Sequence, residues 1–205
     1  RRHVSVRGPP VDSLNQLYVQ ARFMDVVLRN KVLQWATPCN GGFHAVLTDE
    51  ETNSARWRSV FVHADAEGQL SPDQVSWARV KNPRRAVEKM LRVYDMDPSR
   101  LVDITRQSIY FDSVEELRLC LELIESDPHV VIERIKNRLD PNYDPTITGG
   151  YRDCALNVRI VTDETRRCRT DLHVCEVQLV LKRFAELKST DGHKGYVALR
   201  NNRGQ

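Results

Sequence analysis

The chain has 205 residues, of which 40% are hydrophobic and 29% charged, with 9 Gly and 9 Pro. That is enough for one well-cored domain, too little for a large multidomain enzyme, and unlike collagen-like, low-complexity or wholly disordered chains. Thirty-one Lys and Arg against 28 Asp and Glu leave a formal net charge of +3, so the surface as a whole is no net for nucleic acid and any phosphate site must be local.

No uninterrupted apolar run approaches the roughly 20 residues that a membrane helix needs. Five cysteines, Cys39, Cys120, Cys154, Cys168 and Cys175, are odd in number and scattered, which suits a reducing intracellular compartment better than a disulfide framework. The chain opens on Arg1, not Met, and so reads as a processed or excerpted chain. Its first ten residues, with RRHVSVR free of acids, read as a basic tail; the remnant of an organellar targeting sequence is the alternative. A single domain is expected over 11–200, followed by a polar tail over 201–205.

Leu14, Leu17, Tyr18, Ala21, Met24, Val27, Leu28 and Val32 recur at helical spacing, which predicts a helix over 11–36, ended by the Pro and Gly pair of TPCNGG. FHAVLTDE and SVFVHADAEG resemble short strands or ordered loops. RRAVEKMLRVY, 84–94, carries an apolar stripe of Ala86, Val87, Met90, Leu91 and Tyr94 and reads as an amphipathic helix. LVDITRQSIYF, 101–111, is rich in β-branched and aromatic residues and predicts a strand.

Ser113 followed by Glu116 is a capping-box signature, opening a helix over 113–126. HVVIERI, 129–135, predicts another strand, and DPNYDPTITGG a long loop. Cys154, Leu156, Val158 and Ile160 alternate with Ala155, Asn157, Arg159 and Val161, the period of a strand. Over 172–181 Glu176 and Gln178 fall on one face of a strand and Cys175, Val177 and Leu179 on the other. LKRFAELKS then turns helical. Helices alternating with about four strands give a mixed α/β, α+β domain around one sheet.

Three groups of residues carry chemistry. Asp103 and Glu176 each interrupt an apolar strand-like segment, where a carboxylate is expensive unless paired or bound to a cation. On neighbouring strands the two would hold Mg²⁺, a hard ion that bridges carboxylates to substrate phosphates; on separate, half-exposed strands they would merely face water. Arg79, Lys81, Arg84, Arg85, Lys89 and Arg92 form a basic cluster of the kind that binds triphosphate or, more blandly, the solvated face of a helix. Gly149-Gly150-Tyr151 places a ring after a permissive turn, where it would stack on a nucleobase or simply pack. Neither a P-loop nor a dinucleotide-binding glycine motif occurs. His173-x-Cys175 with Cys168 upstream lacks the paired spacing of a zinc site.

Taken in order, Arg79-x-Lys81, Lys89-Met90, Asp103-Ile104, Gly150-Tyr151 and Glu176-Val177-Gln178 resemble the synthetase domain of the RelA/SpoT alarmone family, and Ala185-Glu186, His193 and Tyr196 extend the pattern. The resemblance covers about 79–196. It implies a nucleotidyltransferase-like mixed sheet flanked by helices, and transfer of the β,γ-pyrophosphate of ATP to the 3′-hydroxyl of GDP or GTP. By the same resemblance Arg79, Lys81 and Lys89 hold ATP, Asp103 and Glu176 coordinate Mg²⁺ and carry catalysis, Tyr151 stacks on guanine, and Gln178 and His193 complete the nucleotide site.

The sequence departs from the pattern at Ser108, Ala155, Arg85 and Val180-Leu181, and about twelve extra residues rich in charge, TDETRRCRTDLH, lengthen the hairpin before Glu176. There is no His-Asp doublet, so the resemblance extends to synthesis and not to hydrolysis. Two alternatives stay open: a domain of this fold that has lost catalysis and serves as a binding or structural module in a larger assembly, and a nucleotidyl transfer to RNA or protein. Local basic segments leave nucleic acid open as a ligand without indicating it.

Overall fold

Ser13 accepts a hydrogen bond from the Gln16 amide and starts helix α1, Leu14–Ala36, whose apolar positions face two different neighbours. Its first half, Leu17 and Ala21, packs with Ala86, Met90, Leu101 and Ile104. Its second half, Met24, Leu28, Val32 and Trp35, joins the main core beneath the sheet. The computed structural model describes residues 11–46, 61–63 and 70–187.

After α1 the chain makes a tight 3-10 turn, Thr37–Cys39, and passes through Gly41 and Gly42. A Cβ at Gly41 would lie 2.6 Å from the Ile109 side chain, so glycine there lets the turn press against the core. Strands β1, Phe43–His44, and β2, Phe61–Val62, pair antiparallel, so both segments expected as short strands contain one; most of the rest of them lies outside the described residues. Helix α2, Pro83–Val93, is capped by Asn82. Its buried face is Ala86 and Met90, with Val87 and Tyr94 beside them; Leu91, expected on that face, is 62% exposed. One residue beyond Met90 is about 100° farther round the helix, which turns Leu91 to solvent.

The main sheet has the order β3-β6-β5-β4, built from β3, Arg106–Phe111, β4, Val130–Asn137, β5, Cys154–Ile160, and β6, Cys175–Leu181. Strands β4, β5 and β6 form an antiparallel meander, and β3 lies parallel to β6. Helix α3, Val114–Ser126, makes the crossover out of β3, with the Ser113–Glu116 capping box formed as its sequence predicts. Asp127 at its end accepts from Lys31 Nζ at 2.7 Å and Trp35 Nε1 at 2.9 Å, tying α3 to α1. The hairpin between β5 and β6 carries a short helix α4, Asp163–Arg167, and α5, Lys182–Leu187, follows β6.

This is a mixed α+β architecture with α1 and α3 on the core face of the sheet. The alternation read from the sequence holds: Cys154, Leu156, Val158 and Ile160 on β5, and Cys175, Val177 and Leu179 on β6, are all buried. Their neighbours Asn157 and Arg159, Glu176 and Gln178, and Arg106, Ser108 and Tyr110 on β3 therefore form the opposite, polar face. No helix among the described residues is long and apolar enough to cross a membrane.

Candidate functional site

The strand expected from Leu101 begins only at Arg106; Asp103 lies in the preceding loop. The reason is where the backbone groups of 101–105 find partners. Val102 O accepts from Asn157 Nδ2 at 3.3 Å and Ile104 O from Lys81 N at 2.9 Å; only Thr105 O, which accepts from Glu176 N at 2.9 Å, continues towards the sheet. The Thr105 hydroxyl meets His173 Nε2 at 3.0 Å, and His173 Nδ1 lies 3.2 Å from Gln20 Oε1. With both ring nitrogens so engaged, His173 serves the loop as a buried clasp.

Asp103 is buried, 8% exposed as a residue. Its Oδ2 receives Lys81 Nζ and, at 2.9 Å, Lys89 Nζ; its Oδ1 is buried and has no hydrogen-bond partner. Burial alone would raise this carboxyl, but the Lys89 and Lys81 ammonium groups outweigh it and hold Asp103 below the ordinary aspartate value. Burial pushes Lys81 down despite Asp103, whereas at Lys89 the attraction of Asp103 and of Tyr94 wins over burial and raises it. Lys89 Nζ also sits 5.3 Å from the Tyr94 ring centre.

Glu176 stands on β6 directly across from Arg106 on β3 and Asn157 on β5. It is raised above the ordinary glutamate value, first by burial and then by the negative charge of Asp103. The two acids, 73 positions apart in the chain, therefore share one electrostatic environment. Glu176 Oε1 accepts from Gln178 Nε2 at 2.9 Å, and Gln178 Oε1 accepts from the Ser108 hydroxyl at 3.1 Å, so a polar relay runs over the sheet to the carboxylate.

Among the described residues no cluster of three or more His, Cys, Asp or Glu side chains is arranged to hold a metal. Magnesium does not need one, since it is commonly held by one or two carboxylates with waters and substrate phosphates completing the shell. The orphaned Asp103 Oδ1 and the Glu176 carboxylate, both hard oxygen donors in mutual repulsion, fit that requirement.

The basic motif lies in an extended segment clasped at both ends. Gln107, buried in β3, donates to Ala78 O and accepts from Ala78 N, both at 3.1 Å, and donates to Asp25 Oδ1 of α1 at 3.0 Å. The Tyr18 hydroxyl donates to Lys81 O at 2.6 Å. Between these clasps Arg79 is exposed, and no acid among the described residues pairs with it. Arg84 and Arg85 are exposed on α2 and Arg92 near its end.

Tyr151 lies near the other end of the polar face. Gly149 and Gly150, at φ 60° and 87°, make the turn that delivers it, a conformation that side chains with a Cβ resist. The ring is half-buried near Asp153 and Tyr110, and burial, then Asp153, push its phenol up. Arg152 fixes the loop before it by donating to the carbonyls of Arg138, Asp140 and Tyr143 at 3.1, 2.9 and 3.1 Å. His193 lies outside the described residues.

Sequence reasoning thus finds the two acids, the two lysines and Gln178, which the fold brings together, and Arg79 and Tyr151 at the margins. It misses Gln107, Asn157, His173, Thr105 and Asp25, the residues that hold them. Only Gln107, a polar residue at a core-facing strand position, leaves a trace in the pattern of alternation.

No protein-family model and no curated protein matches the chain. Solved structures similar to it include the small alarmone synthetase 2 from Bacillus subtilis, at TM-score 0.43 and 19% identity, covering 60% of this chain and 62% of that one. The small alarmone synthetase 1 from Bacillus subtilis bound to its product pppGpp gives 0.45 and 18%, covering 68% and 73%. The type VI effector Tas1, in complex with its immunity protein, gives 0.46 and 14%, covering 90% and 74%. The chain thus spans less than two thirds of the length of the first. Chemistry is not inherited from likeness of fold; it resides in the side chains of the site.

Proposed function

We propose that this chain is a Mg²⁺-dependent pyrophosphotransferase that moves the β,γ-pyrophosphate of ATP to the 3′-hydroxyl of GDP or GTP. The observation that carries the reading is Asp103: one oxygen is claimed by two lysines, the other is buried with no partner, and the charge is felt at Glu176. Two carboxylates in one electrostatic environment beside several cations would be offset by a divalent ion and a polyphosphate entering between them.

Asp103 and Glu176 would hold the metal, which neutralises phosphate charge and polarises the bond that breaks. Lys81 and Lys89 are poised to leave the Asp103 carboxylate for the triphosphate, and Arg79 adds a further cation from its clasped ribbon. Reactions of this class need mostly positioning and charge neutralisation, which these residues supply. Glu176, raised above the ordinary glutamate value and oriented by Gln178, suits a carboxylate that accepts the proton of the attacking hydroxyl. Tyr151 would stack on the acceptor base, and His193 belongs to the same proposed nucleotide site.

Incubation with Mg²⁺, GDP or GTP, and ATP labelled at either the α or the γ phosphate tests this. Label from the γ phosphate should appear in a 3′-pyrophosphorylated guanosine nucleotide, and Glu176→Gln should abolish it. Incorporation of the α label instead would mean nucleotidyl transfer, and Mg²⁺-dependent ATP binding without any product would mean a binding module.

A further inference from the structure

We propose that Arg106 is a phosphate-contact residue of this site, binding the polyphosphate chain of a nucleoside triphosphate beside Glu176. The inference deepens the pyrophosphotransferase reading and rests on it for the identity of the ligand, but its geometry is independent.

Arg106 opens β3, three residues after Asp103, and projects on the same face as Ser108 and Tyr110 because strand side chains alternate. In the parallel register it faces Glu176, and the Glu176 N to Thr105 O bond fixes that level of the sheet. It lies close enough to the acidic end for its charge to act on both Glu176 and Lys81.

An arginine facing a carboxylate in register would ordinarily close a two-pronged ion pair with it. Here no such pair forms: Glu176 Oε1 takes the Gln178 amide, and Arg106 is exposed with no acidic partner among the described residues. Lys81 and Lys89, by contrast, are both engaged by Asp103. The guanidinium thus stands near Lys81, feels the Glu176 carboxylate without bonding to it, and has no ion-pair partner among the described residues, an arrangement that leaves its donors open to an anion. Guanidinium presents a fixed fork of donors matched to phosphate oxygens, which a flexible ammonium does not. Arg106, and Arg79 from the ribbon that carries Lys81, would then grip the polyphosphate while the lysines neutralise it.

Inorganic tripolyphosphate, titrated calorimetrically into the full chain with and without Mg²⁺, is the test. Arg106→Ala should weaken its binding roughly ten- to a hundredfold, as expected for a charge-assisted contact, and Arg106→Lys should recover part of that loss. Arg166→Ala, an exposed arginine on α4, should change nothing. All three substitutions are at exposed positions and should leave the urea unfolding midpoint in place. No binding by the unaltered chain, equal binding by Arg106→Ala, or an equal loss in Arg166→Ala would each overturn the inference. Should Arg106-dependent binding hold while no 3′-pyrophosphorylated product forms, Arg106 stands and the transferase reading falls. Should Arg106→Ala make product with unchanged KM and kcat, the reverse follows.

Discussion

The proposed chemistry turns on an asymmetry between two acids, Asp103 and Glu176, in one electrostatic environment. Asp103 is bonded by two lysines and held ionised; Glu176 is raised by burial and then by the charge of Asp103, which outweigh the pull of Arg106 and Lys89, so it resists ionisation. The pH consequences have opposite signs. Asp103, depressed in the folded chain, contributes stability that is present above its unfolded value and is lost as pH falls through the folded one. Glu176, raised, favours folding while protonated, and that contribution is lost as pH rises from the ordinary glutamate value through the raised one. Glu176→Gln should therefore unfold at a higher urea concentration than the parent at pH 7, with the difference vanishing at acid pH. The same substitution should abolish transfer, and in the parent the acid limb of kcat/KM should lie above the ordinary glutamate range. Asp103→Ala leaves two partly buried ammonium groups without a counterion and should cost about 3 kcal/mol in urea unfolding.

At the scale of elements, the site is assembled where the ends of β3 and β6 meet a ribbon that α1 holds in place. Asp25 and Tyr18, seven residues apart on α1, reach Ala78 through Gln107 and Lys81 directly, so the helix sets the position of Arg79 and Lys81. Gln107→Leu strands the Ala78 amide and carbonyl and one Asp25 oxygen; it should cost roughly 2 kcal/mol and raise the KM for ATP more than it lowers kcat. Ser113→Ala removes one half of the α3 capping box and should cost about 1 kcal/mol in thermal or urea unfolding without altering KM, since α3 lies on the core face. The helices and strands themselves were legible: α1, α2, α3 and the four sheet strands follow from apolar spacing and the Ser113–Glu116 pair. What misled was 101–105, whose β-branched residues read as strand. Hydrogen bonds from Asn157 and Lys81, distant in the chain, bend that stretch into the loop that carries Asp103.

Across the whole molecule, the polar face of the sheet carries the acids at one end and Tyr151 near the other. Binding of MgATP should relieve the repulsion at the acidic end and raise the unfolding midpoint. At a ligand concentration about 100 times Kd the gain should be about 2.7 kcal/mol, and Asp103→Asn should remove its Mg²⁺ dependence.

Residue order alone carried the periodicities, the chemical types and the sequence of motifs, because burial alternates every two or 3.6 residues and is written locally. Which side chains meet was decided in three dimensions. The parallel pairing of β3 with β6 sets Glu176 beside Arg106, the loop before β3 turns Asp103 towards the lysines, and the Gln107 clasp fixes the ribbon they come from. Contacts between residues dozens of positions apart leave no local period to read, since they depend on strand order and on the partners that buried polar groups find only once the core has closed.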